Sequence, residues 1–326
     1  NLVNGYDFPM VWGEVYIPNI GEGLLLRLGR FISVPDIEAQ LAPNNYMYSH
    51  SLTYTFDNYT NTGLQATYAV TKNWFLQFGV TAGTDTAPWN MGRRVANPFP
   101  NAVYPDASIL KDPGSMPSFT GCTRYTTDSG WDTIYLCADA ENTGVWGYNN
   151  LQWYGGTYYH KFNDQWHLSV ESYTLSQRNV LNRADPAGII ANGGFPFATQ
   201  NGFAFNAPNT AVCANPQDLT CTARVFTILE YLNYRATALD NISFRAEFYN
   251  DENGQRTGTK TRYVEMGLGW QHWFSPQVYI RPEVSVYQAL DAPAFNANTN
   301  LPAGAPGSTP NKKVSTIAAM DLIWKF

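Results

Sequence analysis

Charged side chains in this sequence recur at alternate positions of short runs, and that spacing decides what they can do. Arg245 and Glu247 are two positions apart in NISFRAEFYN, as are Arg281 and Glu283 in VYIRPEVSV. Glu265 lies in RYVEMGLGW, Glu171 in HLSVESY and Asp321 in AAMDLIW, with Glu14 and Arg27 in two early runs. In an extended strand such residues share one face. Acids and bases projecting from neighbouring strands into an enclosed watery space would form opposed rows of charge. Such rows set a transverse field that orders water and orients polar solutes. Glu265 and Glu283 can also be read as a carboxylate pair for glycoside hydrolysis. Their arginine neighbours would hold both ionised, leaving no acid to protonate a leaving group. The four histidines, His50, His160, His167 and His272, show neither HxH nor HExxH spacing, and GxSxG is absent. Neither an enzyme nor a metal or other cofactor is expected.

The elements that would carry these residues are alternating strands joined in pairs. The runs 10–19 and 24–34 flank a short turn, as do 63–70 and 74–83, 149–160 and 166–178, 223–237 and 242–252, and 259–273 and 278–290; 313–326 stands alone. Their apolar rows are clean: Ile242, Phe244, Ala246 and Phe248 oppose Ser243, Arg245, Glu247 and Tyr249, and Val264, Met266, Leu268 and Trp270 oppose Tyr263, Glu265, Gly267 and Gly269. Pro282 interrupts one run, which predicts a bulge there because proline cannot donate to a ladder. The links between pairs are long and rich in Pro, Asn, Gly and Thr. Short turns at one end and long loops at the other are the pattern of an outer-membrane barrel, with periplasmic turns and extracellular loops.

Composition supports that reading. Charged residues are 14% and aromatics 15% of the 326 residues, against about 25% charged in an ordinary soluble domain. Mean hydropathy is nevertheless −0.30, so long apolar helices are excluded. Trp74, Phe162, Trp166, Trp273, Phe274 and Trp324 gather where strands meet short turns, as an interfacial girdle would. A soluble sandwich with its apolar rows facing inward is the alternative reading of the same alternation. The net charge of −6 excludes nucleic acid as a partner. The four cysteines fall as two local pairs, Cys122 with Cys137 and Cys213 with Cys221, suited to two loop-closing disulfides in an oxidising compartment. The chain starts on Asn1 without a signal peptide, which reads as a processed or truncated chain.

One ordered set of residues goes further. Leu28-Gly29-Arg30-Phe31 is followed by Glu38, Pro43-Asn44, the run Tyr46 to Ser51, Thr62-Gly63, then Gly79, Gly83, Asp85, Trp89 and Asn90. This order, densest over residues 10–90, resembles the β-barrel porin-2 (OmpL-like) family. The resemblance implies a diffusion pore in the outer membrane of a diderm bacterium, passing small hydrophilic solutes and ions. Phe326, the terminal aromatic, resembles the signal read by the barrel-assembly machinery.

The expectation is therefore a single all-β domain over 1–326, a transmembrane antiparallel up-and-down β-barrel of about 12 strands, more if N-terminal strands precede it. Lipid would meet the apolar rows. Glu14, Arg27, Glu171, Arg245, Glu247, Glu265, Arg281, Glu283 and Asp321 would line the pore, six acids against three bases, favouring cations mildly. Segment 35–62, carrying Asp36 and Glu38, would fold inward as a constriction or remain an extracellular loop. Segments 84–148 and 179–222 would be long disulfide-bearing extracellular loops. Tyr154, Tyr158, Tyr173, Tyr279 and Tyr287 could form an aromatic slide for sugars. The alternative function is a structural or partner-plugged barrel whose loops bind another envelope protein or further copies of the chain.

Overall fold

Alternation of apolar and polar residues makes a run of sequence into a strand only if a neighbour takes its backbone groups, and here each strand finds one. The computed structural model describes residues 10–32, 36–58, 60–84, 117–142, 151–183, 210–218, 220–298 and 306–325. In chain order the strands are β1 (Val11–Ile17), β2 (Leu24–Ile32), β3 (Thr60–Ala69), β4 (Trp74–Thr84), β5 (Ser118–Thr126), β6 (Asp132–Glu141), β7 (Gln152–Lys161) and β8 (Trp166–Asn182). They continue as β9 (Thr210–Ala211), β10 (Thr220–Arg235), β11 (Asp240–Asp251), β12 (Thr261–Ser275), β13 (Val278–Ile280), β14 (Glu283–Ala289), β15 (Val314–Ala319) and β16 (Leu322–Trp324). All belong to one sheet in sequence order. Every pairing is antiparallel except that of the two-residue β9 with β8.

β13 and β14 form one crossing interrupted at Arg281-Pro282, and β15 and β16 another interrupted at Met320-Asp321. The two breaks face each other: the Arg281 amide donates to the Asp321 carbonyl, and the Pro282 carbonyl accepts from the Trp270 amide. The irregularity expected at Pro282 is thus matched by one in the partner strand. With β9 set aside, the described residues contain thirteen crossings. β1 and the β15–β16 crossing run in the same direction and form the two edges, so pairing among the described residues does not close the sheet.

Two corrections concern what was read as loop. Residues 118–141 of the expected 84–148 loop form the β5–β6 hairpin, turning at TDSG with Gly130 at φ +70°. The Cys122–Cys137 disulfide joins directly opposed residues of these strands, so it staples the wall across the β5–β6 hairpin and not a long connection between strand pairs. Cys213–Cys221 does close a short connection, between β9 and β10. Most of 84–148 and 179–222 beyond these strands lies outside the described residues, as does Phe326.

The two faces differ as an outer-membrane wall requires. Leu28, Leu64, Phe78, Val80, Leu136, Met266, Leu268 and Leu322 are exposed on the outer face, where lipid replaces water as the apolar solvent. Trp74, Phe162, Trp166, Phe274 and Trp324 are exposed beside the short turns. Two girdle units share one design. Asp132 accepts from the Tyr158 hydroxyl and contacts His160, which meets Phe162 edge-on; Asp240 accepts from the Trp270 indole and contacts His272, which meets Phe274 edge-on. Trp273 is a correction: it stacks on the inward-facing Tyr279 at 4.0 Å, with the Lys325 ammonium over its ring. Tyr154 and Tyr158 are corrected in the other direction, since both are exposed on the outer face. Successive residues of a strand alternate, so a parity taken one residue out moves a side chain across the wall.

A candidate permeation pathway and the segment folded into it

Residues 36–58 leave the wall after β2 and turn into the enclosed space. Besides a 3-10 turn at Ala42–Asn44 they form a single α-helical turn, α1 (Leu52–Thr55), capped by Ser51, whose hydroxyl accepts from the Tyr54 amide. A turn so short has no stability of its own; the wall supplies its partners. The Glu247 carboxylate of β11 accepts from the Leu52 amide at 2.9 Å and from the Thr53 amide and hydroxyl. Tyr173 of β8 donates to the Thr53 carbonyl at 2.7 Å. The helix end left unsatisfied by its own geometry is thus completed by the wall.

The same exchange recurs along the segment. Glu171 accepts from the Ile37 amide at 2.8 Å, and Glu283 from the Tyr48 and Ser49 amides at 2.7 and 3.1 Å. Arg281 donates to the carbonyls of Asn45 and Met47 at 2.8 and 3.0 Å, and its other edge grips Asp321 at 2.5 and 3.0 Å. Arg245 pairs with Glu265 at 3.0 Å and with Glu38 at 3.3 Å, and donates to the Ser49 carbonyl at 2.8 Å. Glu38 also accepts from Ser51 and Tyr231 and meets His50 at 3.5 Å. Burial alone would raise the Glu38 carboxyl, but His50, Arg245 and Tyr231 together hold it below the usual range. Packing completes the attachment. Met47 is fully buried against Leu229 and Tyr231, and Gly269 leaves room for it: a Cβ there would lie 2.9 Å from the Met47 Cγ.

Glu171, Arg245, Glu247, Glu265, Arg281 and Glu283 therefore point inward, yet none is more than 6% exposed. They line a buried seam between wall and segment. Tyr173, Tyr279 and Tyr287 are likewise buried; Tyr279 donates to the Pro43 carbonyl at 3.0 Å and Tyr287 lies 3.2 Å from Arg245. With Tyr154 and Tyr158 outside, no aromatic slide forms among these five.

The opposite half of the lumen is different. A cavity of about 580 Å³ is lined by inward residues of β2 to β6, including Thr67, Phe75, Gln77, Arg124 and Tyr135, and by the disulfide at Cys122. Arg124 stacks on Phe75 at 4.3 Å. Arg27 and Glu14, each about one-third exposed, pair at 2.6 Å on β2 and β1. Sequence reading did not single out Arg124 or Tyr135, because CTRYTTDSGWDTIYLC was assigned to a loop by its cysteines, nor Gln77, an uncharged residue of the expected strand 74–83. The alternation around DSG was the available signal.

Asp36 and Asp57, at the two ends of the segment, meet Glu171 on β8, each offering one carboxylate oxygen within 4.8 Å of the others. Burial, then the Glu171 and Asp57 charges, push the Asp36 carboxyl well above its ordinary range, and burial pushes Asp57 up to about 7. Asp57 had not been considered in the sequence.

No curated protein matches this chain by sequence. Solved structures match its fold. An anion-selective porin from Comamonas acidovorans superposes with a TM-score of 0.56 at 10% identity, over 98% of this chain and 79% of that one. The outer membrane channel DcaP of Acinetobacter baumannii gives a TM-score of 0.48 at 7% identity, over 92% and 73%. OmpT, an outer membrane protein of Vibrio cholerae, gives 0.46 at 10%, over 93% and 76%. The family described as "Putative beta-barrel porin-2, OmpL-like" matches residues 4–326. An antiparallel wall with an apolar exterior, a charged interior and an inward-folded segment is the architecture of an outer-membrane porin, and this chain belongs to the β-barrel porin-2, OmpL-like family.

Proposed function

We propose that small hydrophilic solutes and ions cross through the half of the lumen bounded by β1 to β6, with segment 36–58 as a fixed wall that narrows it. The cavity of about 580 Å³ lined by residues of β1 to β6 and their short turns carries this reading. The segment is held by buried charge-assisted bonds, which resist displacement by a passing ion.

Selectivity follows from the charges that water reaches. The mild cation preference expected from six acids against three bases counted residues now paired beneath the segment. In the open half Glu14 is neutralised by Arg27, and Lys72 pairs with Asp128 across the turns. Arg124 projects into the cavity with its side chain half-buried. Glu22 lines the same cavity, so the charge balance there supports only weak selectivity, with Arg124 as its one unpaired lining cation among the described residues. Insertion by the barrel-assembly machinery through Phe326, and association with other copies, belong to this same proposal.

Planar-bilayer recording under a KCl gradient tests it. Ohmic steps are expected, with a reversal potential that moves towards cations in Arg124→Glu. Absence of steps from folded protein would overturn the channel reading. It would favour the structural or partner-plugged barrel, which the occupied half of the lumen also supports.

A further inference from the structure

We propose that Asp36, Asp57 and Glu171 form a binding site for a single calcium-class divalent cation that clasps both ends of segment 36–58 to the wall. The three carboxylates come from distant parts of the sequence, and one oxygen of each lies within 4.8 Å of the others. Their remaining bonds divide neatly. Asp57 Oδ1 accepts from the Asn58 amide at 2.7 Å and Glu171 Oε2 from the Ile37 amide at 2.8 Å. Asp57 Oδ2, Glu171 Oε1 and Asp36 Oδ1 are buried with no donor in hydrogen-bonding geometry, the Trp153 indole and the Asp36 carboxyl standing beside Asp57.

A fourth oxygen, from a neutral side chain, points the same way. Thr157 of β7 is 3% exposed, and its Oγ1 is buried with no partner in hydrogen-bonding geometry, Tyr159 of the same strand being the polar group beside it. It stands directly opposite Glu171 in the β7–β8 ladder, and both side chains face inward. A buried hydroxyl and three carboxylate oxygens, all hard donors, suit a cation of the calcium or magnesium class. Size separates the two. Oxygens bound to one Ca²⁺ at 2.3–2.6 Å can lie up to about 5 Å apart, whereas Mg²⁺ at 2.0–2.1 Å limits them to about 4 Å. Oxygens that all lie within 4.8 Å of one another fall inside the reach of the larger ion.

Charge fits as well. Arg256 is the cation facing Asp57, and Glu38 and Glu247 add negative potential at Glu171. Three carboxylates and one guanidinium leave about two negative charges for the ion to balance. Asp36 and Asp57 are the two feet of the segment, so one ion would close the loop on a single point of the wall. An all-oxygen site assembled by tertiary folding leaves no histidine or cysteine motif in the sequence.

The site is independent of what crosses the lumen, so binding is measured apart from conductance. Folded full-length protein in detergent is stripped with EDTA, exchanged into metal-free buffer at about pH 8, above the value of about 7 to which burial pushes Asp57, and titrated calorimetrically with CaCl₂ and with MgCl₂. Tb³⁺ emission sensitised by Trp153, whose indole lies beside Asp57, gives a second readout. Saturable binding of one Ca²⁺ is expected, tighter than Mg²⁺, with Ca²⁺ displacing Tb³⁺. Asp57→Asn should weaken it by about tenfold or more, the lower end of what perturbing a metal site costs. Thr157→Val, which preserves shape, should weaken it measurably and serves if Asp57→Asn does not fold. Absence of Ca²⁺ binding, or binding unchanged in the folded variants, overturns the proposal. Binding without conductance would leave the clasp standing and remove only the channel reading.

Discussion

Arg245 offers the sharpest test of how the inward segment is held. Its guanidinium has no exposure and sits between β11 and the segment, touching Glu265 at 3.0 Å, Glu38 at 3.3 Å and Ser49 at 2.8 and 3.0 Å. In Arg245→Ala two carboxylates lose a buried partner at once. Removing one member of such a buried network costs about 3–5 kcal/mol, most of it from the charge left behind. Glu265 belongs to the wall, so part of that cost does not act on the segment. Glu38 and Ser49 do belong to it, and charge-assisted bonds contribute about 1.5–3 kcal/mol each. If about 3 kcal/mol falls on the segment, its released population rises by about a hundredfold, since 1.4 kcal/mol is a factor of ten. Single-channel recordings should then show larger or noisier steps, and protease cleavage within 36–58 should accelerate. A double-mutant cycle with Glu38→Gln should give a coupling of about 1–3 kcal/mol, as contacting residues of one network do. Unchanged conductance and unchanged proteolysis, in a variant that still folds, would refute the role given to these buried charges.

Other perturbations act at separate points. Gly269→Leu should expel Met47 from its place against β12, where a bare Cβ already falls 2.9 Å from Met47 Cγ; overpacking of this kind costs about 1–3 kcal/mol, read as lower unfolding stability and increased conductance. Replacing Cys122 and Cys137 together by alanine should lower stability by up to about 3 kcal/mol, the loop-entropy figure for a closure of this length, here 15 residues apart. Conductance should persist, because the β5–β6 ladder remains. Glu230 points outward between the exposed Ile228 and the half-buried Leu232; Glu230→Leu should raise stability in lipid by about 1–2 kcal/mol, less than the penalty known for a lipid-facing Lys or Arg, measured by urea unfolding in liposomes.

Much of the wall was legible because a strand records its two environments in alternate residues. The rows 242–249 and 263–270 assigned lipid and interior to the correct faces, since each side chain answers locally to one solvent or the other. Where local signals conflicted the reading failed. Cysteines outweighed alternation in the β5–β6 hairpin, and a parity one residue out placed Tyr154 and Tyr158 on the wrong face.

The sequence by itself determined the strand rhythm, the short turns, the girdle and the inward direction of Arg245, Glu265 and Arg281, all consequences of spacing along one chain. Whether those charges meet water or protein was decided only in three dimensions. Segment 36–58 carries little regular structure and no periodicity, so nothing local shows that its amides will be taken by Glu171, Glu247 and Glu283. Those partners lie more than 100 residues away. The energy that folds the segment inward comes from satisfying buried polar groups across that distance. The meeting of Asp36, Asp57 and Glu171 depends on the same closure.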